Sequence, residues 1–509
     1  MPRLSPDDTK TSWTVEGMAL YVKTTSPDTS PPKESFGFRG ACYQRLRRGE
    51  NPGAGAFIDP LADDRTDLWS EDLIRLRMMG ANAIRVFNTA PDVPHRAFLD
   101  RAWNDGDRPI HVLLSIWIEP EQLGVGNDAY VTNTRDSYSR LVASHKQHPA
   151  VVGFVIGGEV NDRDSRLTEA FWTDFRTIAE GARSALGSPG QTGYAEKILT
   201  TALINDFGET SSLDVALQEF NGRHVIDVWG FDLYPSPDEA VFNNAKRVFD
   251  RLGAPATPLL IGEFGDPAST HQSSDGLVRP LTPEEAERHA DYMAETCRKV
   301  ATYRKPSGAR VLCGVGGCIF EWSDEWWKQG RPGEGPQDAF PYDPLHHNSG
   351  FKLAGSGFFM TKYYDEEWFG LNGITEDGAL VEREVYRRVG EEWYPGLAKW
   401  AGTYDTEVAW GGLGAEGPWH QAGELVIADG EVHFRGKQIT AFQYANHRLS
   451  WNWDGDGQTR NDNVAAITLS PTTLAGYHWK DPNLRQSFTG AFNDNPAYGL
   501  VDFRGVLRS

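Results

Sequence analysis

The chain has 509 residues, 39% of them hydrophobic and 24% charged, with a net formal charge of −21; this composition buries a core and excludes global disorder. An acidic surface repels phosphate backbones and anionic lipid, and no basic run interrupts it, which excludes nucleic acid and membrane as partners. The 17 Trp, 17 Tyr and 25 Phe point to flat aromatic faces for a ligand as well as for packing.

In chain order, the first segment, MPRLSPDDTKTSW, has no apolar leader, and no stretch reaches the ~18 apolar residues of a membrane span. A cytoplasmic protein is expected on that basis, or a secreted one only if the sequence has been trimmed. Residues 1–35 carry WTVEGMALYV (Trp13 to Val22), which reads as a strand or hairpin under the fold that follows. Eight apolar runs then alternate with amphipathic stretches: Phe36 to Tyr43, Asn82 to Asn88, Ile110 to Ile118, Ala150 to Glu159, Lys197 to Asn205, Val225 to Tyr234, Pro258 to Phe264 and Val311 to Trp322. Runs apolar throughout, without period-two alternation, are strands covered on both faces. Eight of them predict a (β/α)8 TIM barrel over residues 36–397, in the α/β class.

The helices between them are legible. Trp69, Leu73 and Leu76 fall on one helical face, and Thr282-Pro283-Glu284-Glu285 combines a capping hydroxyl, a first-turn proline and a carboxylate three residues on. A last helix is expected over about Ala379 to Trp393, after a long loop from Ser323 to about Glu376 that is rich in Gly, Pro and aromatics and suits a wall of the barrel mouth. From residue 398 to 509, short strand-like runs about ten residues apart predict a C-terminal antiparallel β-sandwich or small β-barrel. Cys42, Cys297, Cys313 and Cys318 form no CxxC pair and are expected as buried thiols. No metal and no cofactor are expected: the adjacent His346-His347 lacks a ligand spacing, and the WNWDGDG stretch from Trp451 lacks the glycine and glutamate of a calcium loop and reads as a hairpin turn.

Barrel chemistry sits where strands end. Two runs end in a carboxylate, Glu159 on strand four and Glu263 on strand seven, which brings the two side chains together across the mouth. Paired carboxylates about 5–5.5 Å apart are what a retaining glycosidase needs, one as nucleophile and the other as acid and then base. Arg85, a charge inside the apolar second run, needs a buried partner, and Glu263 is the natural one. Tyr234 is placed to hydrogen-bond Glu263, while Trp117 and Trp322 offer indole faces for a sugar ring. Tyr43, Gln44, Asn88, Glu119, Asn161, Asn205, Asp206 and Asp232 complete a polar ring. The expected partner is a carbohydrate; the oligomeric state is not legible.

These residues stand in segments that resemble a known family. FRGACYQ, the stretch from DPLADDRTDLW to NAIRVFNTAP, HPAVVGFVIGGEVND, DVWGFDLY and PLLIGEFG resemble glycoside hydrolase clan A, above all the β-1,3-glucanosyltransferases of fungal cell walls and related bacterial barrel glycosidases. The resemblance spans residues 13 to 395. It implies Glu159 as acid/base, Glu263 as nucleophile, Arg85 and Tyr234 as supports, and either hydrolysis or transglycosylation of a β-linked glycan. One position departs from the pattern. Clan members carry Asn immediately before the acid/base, on the sugar 2-hydroxyl, whereas this chain has Gly158, so Asn161, Asn205 or Asn88 takes over, or the sugar is unusual at C2, or the barrel is a weakly active or non-catalytic carbohydrate-binding protein.

Overall fold

The computed structural model describes residues 4–50, 52, 57–161, 168–204, 212–234, 236–271, 278–306, 312–328, 351–352, 360, 363–375 and 377–394. Beyond these it describes the segments 402–409, 419–428, 431–439, 442–445, 448–452, 463–470, 473–479 and 501–507. The chain divides into two compact units, Met1–Arg77 with Ala81–Val389, and Met78–Gly80 with Gly390–Ser509.

The first unit opens with an antiparallel meander, β1 (Lys10–Glu16), β2 (Ala19–Thr25) and β3 (Glu34–Phe36). The barrel strands follow: β4 (Phe38–Cys42), β5 (Ala83–Arg85), β6 (His111–Ile116), β7 (Val151–Ile156), β8 (Ile198–Thr201), β9 (Leu203–Ile204), β10 (Trp229–Asp232) and β11 (Leu259–Phe264). After a small hairpin, β12 (Ser269–His271) with β13 (Val278–Pro280), comes β14 (Gly314–Ile319). All barrel pairings are parallel, in the order β8-β7-β6-β5-β4-β14-β11-β10-β9. Because β8 and β9 are halves of one strand interrupted at Ala202, and Thr200 bridges to Val228 beside β10, the sheet closes on itself as an eight-position barrel.

The meander closes the bottom. Trp13 and Leu20 are buried in one cluster with Phe38, Ala83, Leu113, Val152, Ile198 and Leu260, the inward residues of six strands, and the Trp13 amide donates to the Glu196 carbonyl. Burying each such side chain stabilises by ~1.5–3 kcal/mol relative to exposure.

The outer helices carry the expected stripes. In α1 (Thr66–Met79) Trp69, Leu73 and Leu76 are all buried. The next are α2 (Arg96–Trp103), α3 (Asp128–His145), α4 (Glu169–Leu186), α5 (Ser212–Phe220) and α6 (Glu239–Leu252). At the start of α7 (Pro283–Thr302) the capping box forms with both its bonds. The last helix is shorter than its expected span: α8 covers Glu384–Trp393, because Gly378 (φ +87°) turns the chain and Leu380–Glu382 pairs instead with Asn372–Ile374. All four cysteines are buried, and no described helix is long and apolar enough to cross a membrane.

The second unit contains a nine-stranded antiparallel sheet, with Gly402–Ala409 and Val501–Leu507 paired near its centre. Trp451 is buried against Phe434, with the ring centroids 5.5 Å apart. It is a core residue and offers no exposed sugar face.

Candidate active site

Three irregularities shape the mouth, and each has a local cause. At the end of β7, Gly157 takes φ +72°, and Glu159 itself is left-handed at φ +46°, a conformation that costs a non-glycine residue ~1–3 kcal/mol. Two contacts hold it there. The Glu159 amide donates to the Ala202 carbonyl (2.8 Å), which accounts for the break between β8 and β9, and the Asn161 side chain grips both polar groups of Ile204, accepting from its amide (2.8 Å) and donating to its carbonyl (2.9 Å). Between β10 and β11 the register slips after Phe231, so that Asp232 lies opposite Glu263 rather than Gly262.

Glu159, Asp232 and Glu263 consequently converge, with one carboxylate oxygen of each within 4.8 Å of the others. The Arg85 guanidinium contacts two of them: its Nη1 lies 2.9 Å from Glu263 Oε1 and donates to Asp232 Oδ1 at 3.0 Å. A second donor, the Tyr234 hydroxyl, reaches Glu263 Oε2 at 2.8 Å. Arg85 is fully buried, and despite that burial Asp232 and Glu263 hold its pKa above the ordinary value. Burial pushes Asp232 well above the usual carboxylate range; Arg85 opposes this shift, and Glu263 and Glu159 reinforce it. Glu159 and Tyr234 are half-buried, and the Glu263 side chain keeps a 9% exposure towards the mouth, in contrast to the fully enclosed Asp232.

The floor and collar were not anticipated. Cys42 and Cys318 lie beneath the cluster, and burial drives both thiols up, Cys318 to about 12. Phe320 and Phe369 pack with them and with Phe87 and Tyr234 into an apolar rim, and the Arg85 guanidinium sits 5.0 Å from the Phe87 ring centre. Phe87 was legible as the residue two beyond Arg85 on the same strand face; Phe369 arrives from a distant loop and left no local signal.

The polar ring separates into three groups. Trp117 is 45% exposed at the mouth, and the Asn88 side chain fixes it by accepting from its amide (3.1 Å). Gln44 is half-buried and Glu119 exposed. Tyr43 and Trp322 are corrections: both are completely buried, Tyr43 donating to Asp72 (2.9 Å) and Trp322 packed edge-on to Tyr386, so neither presents a surface to a sugar. Asn161 is a third correction, because its amide is committed to the backbone of Ile204 and cannot replace the missing side chain at Gly158. Asn205, Asp206, His346, His347 and Trp453 lie outside the described residues. Gly158 itself has room, since a Cβ there would meet only Trp117 Cζ3 at 3.7 Å and Arg85 Nη2 at 3.8 Å among the described residues.

Residues 9–179 match the family model described as glucanosyltransferase. No curated protein matches the sequence. Among solved structures, the chain is similar to a GH2 β-galacturonidase from Eisenbergiella tayi bound to galacturonate, at 15% identity and a TM-score of 0.45, covering 75% of this chain and 54% of that one. It is also similar to Saccharomyces cerevisiae Gas2p in complex with laminaripentaose, at 14% identity and a TM-score of 0.46, covering 75% and 69%. The match thus spans about half the length of the galacturonidase. The cytoplasmic expectation is corrected: the matched glucanosyltransferase family consists of secreted, cell-wall-associated enzymes, and the lack of an apolar leader in a given stretch of sequence does not fix a compartment.

Proposed function

We propose that this protein is a retaining β-glycoside hydrolase or transglycosylase acting on a β-linked glucan. One observation carries the mechanism: one carboxylate oxygen of Glu159 lies within 4.8 Å of one of Glu263. Retaining enzymes hold their carboxyls ~5–5.5 Å apart, whereas inverting ones separate them by ~6.5–9.5 Å to admit a water molecule. Glu263 as the carboxylate attacks the anomeric carbon while the bond to the leaving oxygen breaks, and Glu159 gives that oxygen its proton. Glu159, now a carboxylate, takes a proton from water or a sugar hydroxyl, whose oxygen displaces Glu263 and restores both groups. Arg85 and Tyr234 hold Glu263 from either side; fixed donors of this kind need no reorganisation during reaction. Trp117, exposed beside Glu159, supplies a stacking face. The glucan as substrate rests on the family match over residues 9–179.

The alternative reading, a carbohydrate-binding barrel without turnover, has Gly158 in its favour, because no side chain stands there to hold the 2-hydroxyl. Proton NMR of the first-formed anomer from laminari-oligosaccharides separates the possibilities. The β-anomer together with products longer than the substrate is expected; the α-anomer would refute the retaining mechanism, and no product at all would favour the binding protein.

A further inference from the structure

Three carboxyls have one oxygen each within 4.8 Å of the others, and two of them, Asp232 and Glu263, contact one guanidinium; like charges that close cannot all ionise. Their polar contacts discriminate between them. Both oxygens of Glu263 are engaged, Oε1 by the Arg85 guanidinium as an ion pair at 2.9 Å and Oε2 by the Tyr234 hydroxyl, which donates to it. Asp232, whose side chain is fully buried, has a donor on Oδ1 only, and its Oδ2 is buried with no hydrogen-bond partner among the described residues. A buried carboxylate with a bare oxygen is a costly anion, whereas a carboxylic acid needs less support. The neighbouring backbone is shaped around this contact: a Cβ at Gly262 would lie 2.4 Å from Asp232 Oδ1 and 3.1 Å from Arg85 Nη1, so the residue before Glu263 has to be glycine for the Arg85 to Asp232 bond to exist. Among the described residues, the groups facing Asp232 from the surrounding strands are Arg85 on β5, Glu263 on β11, Glu159 beyond β7, Cys42 on β4 and Cys318 on β14; burial keeps both thiols neutral, and Arg85 is the cation among these groups.

We propose that Asp232 is a positioning residue that remains an uncharged acid: it accepts from Arg85 and fixes the guanidinium in place while leaving the positive charge to Glu263. The assignment rests on the glycosidase reading for the purpose of the arrangement, though not for its physical test. Two carboxylates on one guanidinium would divide its field; a neutral acceptor anchors the same atom without competing for it. This accounts for a third acid in a mouth whose chemistry needs two. The strand-end position made Asp232 a candidate ligand for sugar, but its burial removes it from contact and makes it a support.

The test reads protonation directly. Infrared difference spectra at neutral pH between the substrate-free protein and its Asp232→Asn variant are expected to show loss of a protonated-carboxyl C=O band; loss of a carboxylate band instead would overturn the proposal. This readout needs no turnover, so it stands or falls separately from the proposed activity. On a glycoside that the protein cleaves, Asp232→Asn, which keeps an acceptor for Arg85, is expected to retain at least tenfold more kcat than Asp232→Ala. Equal loss in the two variants, with both folded by circular dichroism, would also overturn it.

Discussion

At the mouth of the barrel Arg85 lies between two carboxyls, whereas at the base Lys197 is about as deeply buried and, among the described residues, donates to neutral acceptors. Its Nζ donates to Thr11 Oγ1 (2.7 Å), the Val151 carbonyl (2.7 Å) and the His148 carbonyl (3.3 Å), and burial lowers its pKa to about 7. Nearby, His111 is lowered to about 3, by burial first and Lys197 second. The mouth therefore keeps a permanent charge and spends a register slip, a left-handed glutamate and an obligatory glycine on placing it. At the base, burial weakens the charge, and the groups serve to tie the β1–β2 hairpin to the strands. This is the usual division of labour in such barrels, with chemistry at the C-terminal ends of the strands and stability at the other.

The comparison can be broken by exchanging losses. Removing the cation at the mouth leaves buried carboxyls uncompensated, so Arg85→Ala should cost ~3–5 kcal/mol in denaturant unfolding and lower turnover by at least ~10²-fold; a variant that unfolds like the parent would show the mouth to be less tightly coupled than its geometry requires. A second test is acid sensitivity. His111 is lowered to about 3, and His145 and His289 to about 4, in each case mainly by burial, while histidines in the unfolded chain titrate near ~6.5. Between these values the unfolded state binds more protons, so stability should fall as pH drops from ~6.5 towards 4, by ~1.4 kcal/mol per pH unit for each histidine. Unfolding midpoints measured across that range check it, and a flat profile would contradict it.

The smallest effect belongs to the base. Folded Lys197 loses its proton near pH 7, but unfolded lysine keeps it to ~10.4, so over that window the wild type gains stability as pH rises. Lys197→Met should flatten this gain by up to ~1.4 kcal/mol per pH unit near the middle of the window while leaving turnover intact. Loss of activity in that variant would mean that the two ends are not independent.

Much of this was legible in the sequence because barrels place function at strand ends. Continuous apolar runs marked the strands, and the carboxylates ending two of them, with one arginine inside a third, were enough to bring Arg85, Glu159 and Glu263 together. What the sequence concealed depends on register and side-chain direction. Nothing local distinguishes Tyr43 and Trp322, which turn into the core, from Trp117, which faces out. Asn161 looked like a ligand group because its partner, Ile204, is a backbone site more than forty residues away. Asp232 was visible as a polar strand end, but its role depends on a one-residue slip that no periodicity announces. Gly262 carried a usable signal, a glycine directly before a reactive residue, whose meaning emerges only from the atoms that a Cβ would displace.

The central claim, that Glu263 forms a covalent bond to sugar while Glu159 moves the proton, is tested most directly by trapping the intermediate. The protein should be incubated with a panel of activated 2-deoxy-2-fluoro-β-glycosides of gluco, galacto, manno and glucurono configuration, then digested and mapped by mass spectrometry. The account expects one fluoro-sugar per chain, attached to Glu263 and absent from Glu263→Gln. A stoichiometric adduct on any other residue, or turnover of a member of the panel with no adduct, would contradict it.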